Sequence, residues 1–215
     1  MIKLAPSLLG ADILKLGEEA GNALDVGADM LHLDIMDGHF VPNLSFGPDL
    51  ISALRKQFPA ACLDVHLMLS DPLAYIPVFA KAGADAITVH AESADVCRAL
   101  SLIRQNGVRC GLSIRPKTDV ETVKALLPLT DLILIMTVEP GYGGQKLMPE
   151  CADKIAALRQ LGYSGCIMVD GGVNLDNSAM LADKGADVLV LGTAFFRAED
   201  REYVAKYIHH LGEKM

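Results

Sequence analysis

The sequence has no excess of basic charge, no long apolar run and no closely paired cysteines. Nineteen Lys and Arg stand against 27 Asp and Glu in 215 residues, a formal net charge of -8 with a pI near 5.2. A surface without general positive charge excludes nucleic acid and anionic membrane as partners. It still allows one pocket of backbone amides to hold a phosphorylated small molecule. No stretch reaches the roughly 18 uninterrupted apolar residues of a membrane span. The opening Met-Ile-Lys-Leu-Ala-Pro-Ser7 has no basic segment followed by a long apolar one, so the expected compartment is the cytoplasm. The five cysteines (Cys62, Cys97, Cys110, Cys151, Cys166) are odd in number and contain no Cys-x-x-Cys pair. They read mostly as small buried apolar residues in a reducing compartment, not as a disulfide framework or a catalytic thiol. Linkers, low-complexity segments and charge runs are also missing, and with 51% hydrophobic residues the chain can bury a large core. A single domain over 1–215 is expected.

What is present is a regular alternation. Apolar, β-rich runs fall at Ile2–Leu9, Asp29–Met36, Ala61–Leu69, Asp85–Ala91, Val108–Ile114, Asp131–Val138, Cys166–Asp170 and Asp187–Gly192. Helical patterns lie between and after them, at Ile13–Leu24, Leu50–Gln57, Leu73–Lys81, Asp95–Gln105, Val120–Leu126, Pro149–Gln160, Asn177–Asp183 and Arg201–Leu211. Val26-Gly-Ala-Asp29, Ala82-Gly-Ala-Asp85 and Lys184-Gly-Ala-Asp187 recur as helix-to-strand corners, where glycine can take the left-handed conformation that ends a helix. Near-continuous apolar strands joined by helical crossovers indicate a parallel sheet covered on both sides. Eight such units fit an α/β fold of the (β/α)8 TIM-barrel type better than an open sheet. Functional residues are then expected at strand C-termini and in the loops that follow.

The second run ends in Met30-Leu-His-Leu-Asp-Ile-Met36, the third contains Leu63-Asp-Val-His-Leu-Met68, and the seventh ends at Asp170. Side chains two apart on a strand share a face, so His32, Asp34 and Met36 point one way, as do Asp64, His66 and Met68. A lone histidine on an apolar strand is most often a core residue. Three strand ends delivering His32, Asp34, His66 and Asp170 instead predict a mixed nitrogen and oxygen shell for one divalent ion, Zn, Mn, Fe(II) or Co. Buried carboxylates without a cation or partner would be costly, which weighs against a purely structural role for Asp34 and Asp170. Asp64 is placed one layer deeper, as an acceptor orienting His66. Two carboxylates facing one bound carbon suit removal of a proton on one face and its return on the other, beside a carbonyl. Met36, Met68 and Met136 are read either as core or as an apolar cover that keeps water off the intermediate. After the sixth run, Gly141-Tyr-Gly-Gly144 allows backbone N–H groups to face an anion, supported by Gly171-Gly172 and Gly192-Thr193 after the last two strands.

The combination Ala5-Pro-Ser7, His32-x-Asp34-x-Met-Asp-Gly-x-Phe-Val-Pro-Asn43, His66-Leu-Met68, Met136-Thr-Val-Glu-Pro-Gly-Tyr-Gly-Gly-Gln145 and Val169-Asp-Gly-Gly172 resembles the ribulose-phosphate 3-epimerase family, in order along the whole chain. The resemblance implies a metal-dependent barrel of the ribulose-phosphate-binding type, interconverting ribulose 5-phosphate and xylulose 5-phosphate. It implies that His32, Asp34, His66 and Asp170 hold the ion and that Asp34 and Asp170 also serve as the acid/base pair. Ser7 and His66 would meet the sugar end. Gly141, Tyr142, Gly143, Gly144, Gly171, Gly172, Gly192 and Thr193 would bind the remainder, chiefly the phosphate. A symmetric homo-oligomer is implied as well.

The chain departs from the family at Ile114-Arg-Pro116, where an Asn usually precedes the proline, and at Gly192-Thr193 in place of Gly-Ser. Arg115 is therefore either a surface charge or an added contact for a longer phosphosugar. Allulose 6-phosphate 3-epimerase is the nearest alternative, and a non-catalytic phosphosugar-binding barrel the alternative of another class. A decarboxylase of related fold would need a lysine between its acids, and Asp34-Ile-Met-Asp37 has none.

Overall fold

The computed structural model describes residues 1–211; the end of the expected domain, 212–215, lies outside the described residues. Eight strands form one parallel sheet: β1 (Lys3–Pro6), β2 (Leu31–Met36), β3 (Leu63–Met68), β4 (Ala86–His90), β5 (Arg109–Ile114), β6 (Leu132–Met136), β7 (Cys166–Asp170) and β8 (Val188–Leu191). Their order is β1-β8-β7-β6-β5-β4-β3-β2. The two edges meet through Asp29 N–H donating to Leu4 O at 3.0 Å and a parallel bridge between Ser7 and His32, which nearly closes the sheet into the expected barrel.

The helices are α1 (Leu16–Asp25), α2 (Pro48–Gln57), α3 (Ile76–Ala82), α4 (Val96–Gln105), α5 (Asp153–Gln160), α6 (Leu175–Asp183), α7 (Thr193–Phe196) and α8 (Arg201–His210). Four differences from the sequence pattern have local causes. The first strand stops at Pro6 because the Ser7 side chain accepts from Leu9 N–H and starts a 3-10 turn at Leu8–Gly10. Asp12 caps a second such turn, so Ile13 and Leu14 stand exposed outside α1. Val120–Leu129 is a 3-10 segment containing Pro128, which has no N–H to give to a helix. Asn174 and Asn177 form a reciprocal capping box that starts α6 earlier than periodicity suggests. Of the cysteines, Cys110 and Cys151 are buried as expected, whereas Cys62 and Cys166 are half-buried and Cys97 is exposed; all five are free.

Period-2 alternation sends one set of strand side chains outward under the helices, where Leu31, Leu33, Ile35, Leu63, Val65 and Leu67 join the main core. The other set fills the barrel in two sectors. Ala5, Leu134, Met136, Met168, Val188 and Val190 make an apolar cluster on β1 and β6 to β8. On β2 to β5 the buried residues His32, Asp34, Asp64, His66, Thr88, His90 and Ser113 make a polar one.

The corner aspartates tie strands together in a fourfold pattern. Asp29, Asp85, Asp131 and Asp187, each just before an even-numbered strand, accept from the backbone N–H of Leu4, Leu63, Cys110 and Ile167 on the preceding odd-numbered strand, at 2.7 to 2.8 Å. Each also meets a basic side chain from the helix after the previous even strand: Arg55 with Asp85, Arg104 with Asp131, Arg159 with Asp187 and, across the seam, His209 with Asp29. Because these pairs are half-exposed, the contribution lies mainly in satisfying a strand amide and much less in the ion pair. Asp85→Ala should therefore lower stability by about 1 to 2 kcal/mol, read as a lower urea midpoint at unchanged m-value; an unshifted midpoint would show that Leu63 N–H finds another partner.

Candidate active site at the barrel mouth

The parallel register of β2 on β3 aligns His32 with Asp64 and Asp34 with His66. His32 is fully buried, and its Nδ1 lies 2.7 Å from Asp64 Oδ2. The carboxylate can only accept, so Nδ1 carries a hydrogen and Nε2 is the ring atom that a proton or a metal ion can occupy. That buried Nε2 has no hydrogen-bond partner; it sits 3.3 Å from Asp34 Oδ1 and 3.9 Å from Asp170 Oδ2. His66 Nδ1 lies 3.0 Å from the same Asp34 Oδ1, while Asp34 Oδ2 accepts from the Ser7 hydroxyl at 2.6 Å. One donor atom from each of His32, Asp34, His66 and Asp170 falls within 4.8 Å of the others. An orphaned buried nitrogen facing two carboxylates and a second imidazole fits a borderline divalent cation, so these four residues could hold a metal ion.

Asp64 corrects the sequence expectation: it orients His32, not His66. Register across the strand pair decides this, because Asp64 lies beside His32 and two positions below His66. The partner of His66 Nε2 is instead His90 Nε2, 2.8 Å away at the end of β4. His90 went unremarked in the sequence, although it is an inward-facing histidine at a strand end, the signal that singled out His32 and His66.

The electrostatics split the two carboxylates. Burial raises the Asp34 carboxyl, but the adjacent His32 and His66 imidazoles outweigh it and hold Asp34 well below the usual range. Burial and the neighbouring Asp34 charge push Asp170 up to about 6. Burial opposes the charged form of His32, yet Asp34 and Asp64 hold its pKa well above the ordinary value.

Above this group opens a cavity of about 650 Å3. Ser7, Asp34, Asp170 and the three methionines Met36, Met68 and Met136 line it, with Gly141, Tyr142, Gly143, Gly144, Gly171, Gly172, Gly192 and Thr193. His32 and His66 are fully buried behind the two carboxylates. Gly172 has φ 66°, and a Cβ there would come 2.3 Å from Leu147 N, so only glycine allows this approach of the two loops. The loops after β2 and β6 also join over the cavity, where Asn43 Nδ2 donates to Gly141 O at 2.7 Å and the Tyr142 hydroxyl donates to Pro42 O. Arg115 does not line the cavity. Its Nη2 donates to Phe40 O at 3.0 Å and its guanidinium lies 4.2 Å from the centre of the Phe40 ring.

A family model described as the ribulose-phosphate 3 epimerase family matches residues 3–196. Similar proteins include ribulose-phosphate 3-epimerases of Synechocystis sp., 45% identical over 92% of this chain and 88% of the relative, and of Bacillus subtilis, 42% identical over 94% and 95%. Among solved structures, 3-hexulose-6-phosphate synthase from Salmonella typhimurium aligns with TM-score 0.75 at 18% identity over 98% of each chain. The 3-keto-L-gulonate-6-phosphate decarboxylase from Vibrio cholerae aligns with TM-score 0.75 at 17% identity over 99% of this chain and 97% of the other. At those identities the structural likeness bears on the fold alone. No helix among the described residues is long and apolar enough to cross a membrane.

Protons and a cation compete for the same donors here, because Asp170 binds a proton up to about pH 6 and His32 is held charged beyond the ordinary histidine range. Divalent-ion binding by metal-free protein should therefore release protons, with affinity falling as pH drops through about 6. Calorimetry in buffers of different ionisation enthalpy measures the release; binding heats independent of buffer would contradict the coupling.

Proposed function

This chain belongs to the ribulose-phosphate 3-epimerase family and is an enzyme of it, and on that premise we propose that it interconverts D-ribulose 5-phosphate and D-xylulose 5-phosphate by proton transfer at C3. One observation carries the proposal: Asp34 and Asp170, from strands β2 and β7, both reach the cavity wall while flanking the same unpartnered His32 Nε2.

Two carboxylates of unequal proton affinity are what a proton shuttle across a planar carbon needs. Asp34 stays ionised beside His32 and His66, steadied by the Ser7 hydroxyl on its Oδ2, and Asp170 holds a proton more readily. One removes the C3 proton and the other delivers a proton to the opposite face, the roles exchanging in the reverse direction. A divalent ion held by His32, Asp34, His66 and Asp170, for which Zn, Fe(II), Mn and Co all suit the donor set, would supply positive charge to stabilise the enediolate. Met36, Met68 and Met136 cover the reacting carbon with apolar surface and exclude water. Gly143, Gly144, Gly171, Gly172, Gly192 and Thr193 take the phosphate on backbone amides, with Gly141 and Tyr142 closing the side of the cavity. Ser7 meets the sugar end, and His66 acts from behind Asp34. The placement of Arg115 against Phe40 removes the feature that favoured a longer sugar, so the pentulose is preferred over allulose 6-phosphate. The proposal takes 1–215 as one barrel domain, assembled into a symmetric oligomer in the cytoplasm.

Asp170→Asn should keep the far-UV spectrum and lose C3 proton exchange with solvent by about 100- to 10,000-fold; near-normal exchange would remove Asp170 from the acid/base pair. Chelation should abolish turnover of ribulose 5-phosphate, and a divalent transition metal should restore it. Faster turnover of allulose 6-phosphate under the same conditions would overturn the choice of substrate.

A further inference from the structure

We propose that His90 and Glu92 are positioning residues that fix the proton of His66 on Nε2, so that its Nδ1 lone pair is presented to the metal donor set. The proposal rests on the metal-binding role given above to His32, Asp34, His66 and Asp170.

The direction of the hydrogen-bond chain follows from its far end. His90 is completely buried; its Nε2 lies 2.8 Å from His66 Nε2, and its Nδ1 lies 3.1 Å from Glu92 Oε2. Glu92 Oε1 accepts from Arg115 N–H at 3.0 Å and from the Thr118 hydroxyl. With burial outweighed by these hydrogen bonds, the Glu92 carboxyl is lowered to about 2, so it is ionised and acts only as an acceptor. His90 Nδ1 must therefore carry the hydrogen. Only one hydrogen fits between the two Nε2 atoms, and a His90 ring that gives its Nδ1 hydrogen to Glu92 has Nε2 available to accept it. An ion on His66 Nδ1, which lies 3.0 Å from Asp34 Oδ1, leaves the hydrogen of that ring on Nε2, where His90 accepts it.

His32 receives the same treatment from one residue, Asp64, and His66 receives it from two. Imidazole ligands whose second nitrogen is anchored on a carboxylate hold their tautomer and ring orientation, and loss of such partners typically costs 10- to 100-fold in metal affinity. The far end of the relay is itself braced. Lys154 Nζ donates to the carbonyls of Arg115, Pro116 and Thr118, each at 2.7 Å, fixing the loop that holds Glu92. Phe40 packs on His90 with ring centres 4.9 Å apart, and the Arg115 guanidinium lies 4.2 Å from the centre of the Phe40 ring. Neither His90 nor Glu92 lines the cavity or belongs to the donor set, so neither touches substrate or ion.

The experiment uses full-length protein loaded with Co(II), whose visible spectrum reports ligand geometry, and Zn-loaded protein labelled with 15N-histidine. His90→Phe keeps a ring at the site and deletes the chain, and Glu92→Gln removes the charge that sets its direction. Chelator competition should show about 10- to 100-fold weaker binding in His90→Phe, with an altered cobalt spectrum and a loss of the single Nε2–H signal of His66. His90→Gln should recover most of the affinity, because its amide oxygen can accept from His66 while its amide nitrogen donates to Glu92. Glu92→Gln, at an exposed residue, guards against a misfolded His90→Phe and should show mixed His66 tautomers. Wild-type affinity, spectrum and tautomer in both Glu92→Gln and His90→Phe would overturn the relay while leaving the metal site standing. Absence of cobalt binding in the unsubstituted protein would instead remove the metal site, and the relay with it.

Discussion

The register of β2 against β3 is the constraint on which the site depends. Those strands pair His32 with Asp64 and Asp34 with His66, so each imidazole has a carboxylate across the strand boundary. A slip of one residue would turn all of these side chains out toward the helices and bring Leu33, Ile35, Val65 and Leu67 into the barrel. The corner aspartates help prevent it. Asp29 is bonded to Leu4 on one side of β2, and Asp85, just before β4, is bonded to Leu63 at the start of β3. Corners that look like generic turn chemistry therefore help set where His32, Asp34 and His66 stand several residues farther along.

The polar sector is costly unless its charges are compensated. Asp34, Asp64, His32 and His66 are all buried, and desolvation opposes each charged form. Compensation is mutual: the Asp34 carboxylate is held ionised by two imidazoles, and His32 is held protonated by two carboxylates. Asp170, farthest from a positive partner and nearest the cavity, has its carboxyl raised. The proton on His32 and the proton favoured on Asp170 occupy places where one cation could serve both, among the four residues that could hold a metal ion.

Much of the architecture was legible in the sequence because period-2 alternation and helical crossovers leave direct traces. Eight apolar runs at regular intervals became eight strands, and His32, Asp34, His66 and Asp170 converged from three of them. What was not legible was lateral. The sequence carries no direct record of inter-strand register, so Asp64 was matched to His66, its neighbour two residues along, when its partner lies on the adjacent strand. The fourth corner was hidden because Asp131 follows Leu129-Thr130 and lacks the Gly-Ala of the other three, although it makes the same hydrogen bond. His90 was passed over because a single histidine ending an apolar run is usually core; only its distance from His66 separates it from that class. Arg115 was ambiguous for the same reason, since which way a strand-end side chain leans depends on Phe40, 75 residues away in the chain.

The interior divides into a polar sector on β2 to β5 and an apolar sector on β1 and β6 to β8. The solved structures named above share the backbone at TM-scores of 0.75 with identities of 17% and 18%, and outward-facing residues need only remain apolar to preserve it. Chemistry is set by a few inward positions at strand ends. In this chain they are His32 and Asp34 without a lysine before Asp37, His66 beside them, and Asp170 across the cavity. A lysine among them would place a fixed positive charge beside the two carboxylates, which here face an unpartnered imidazole nitrogen instead.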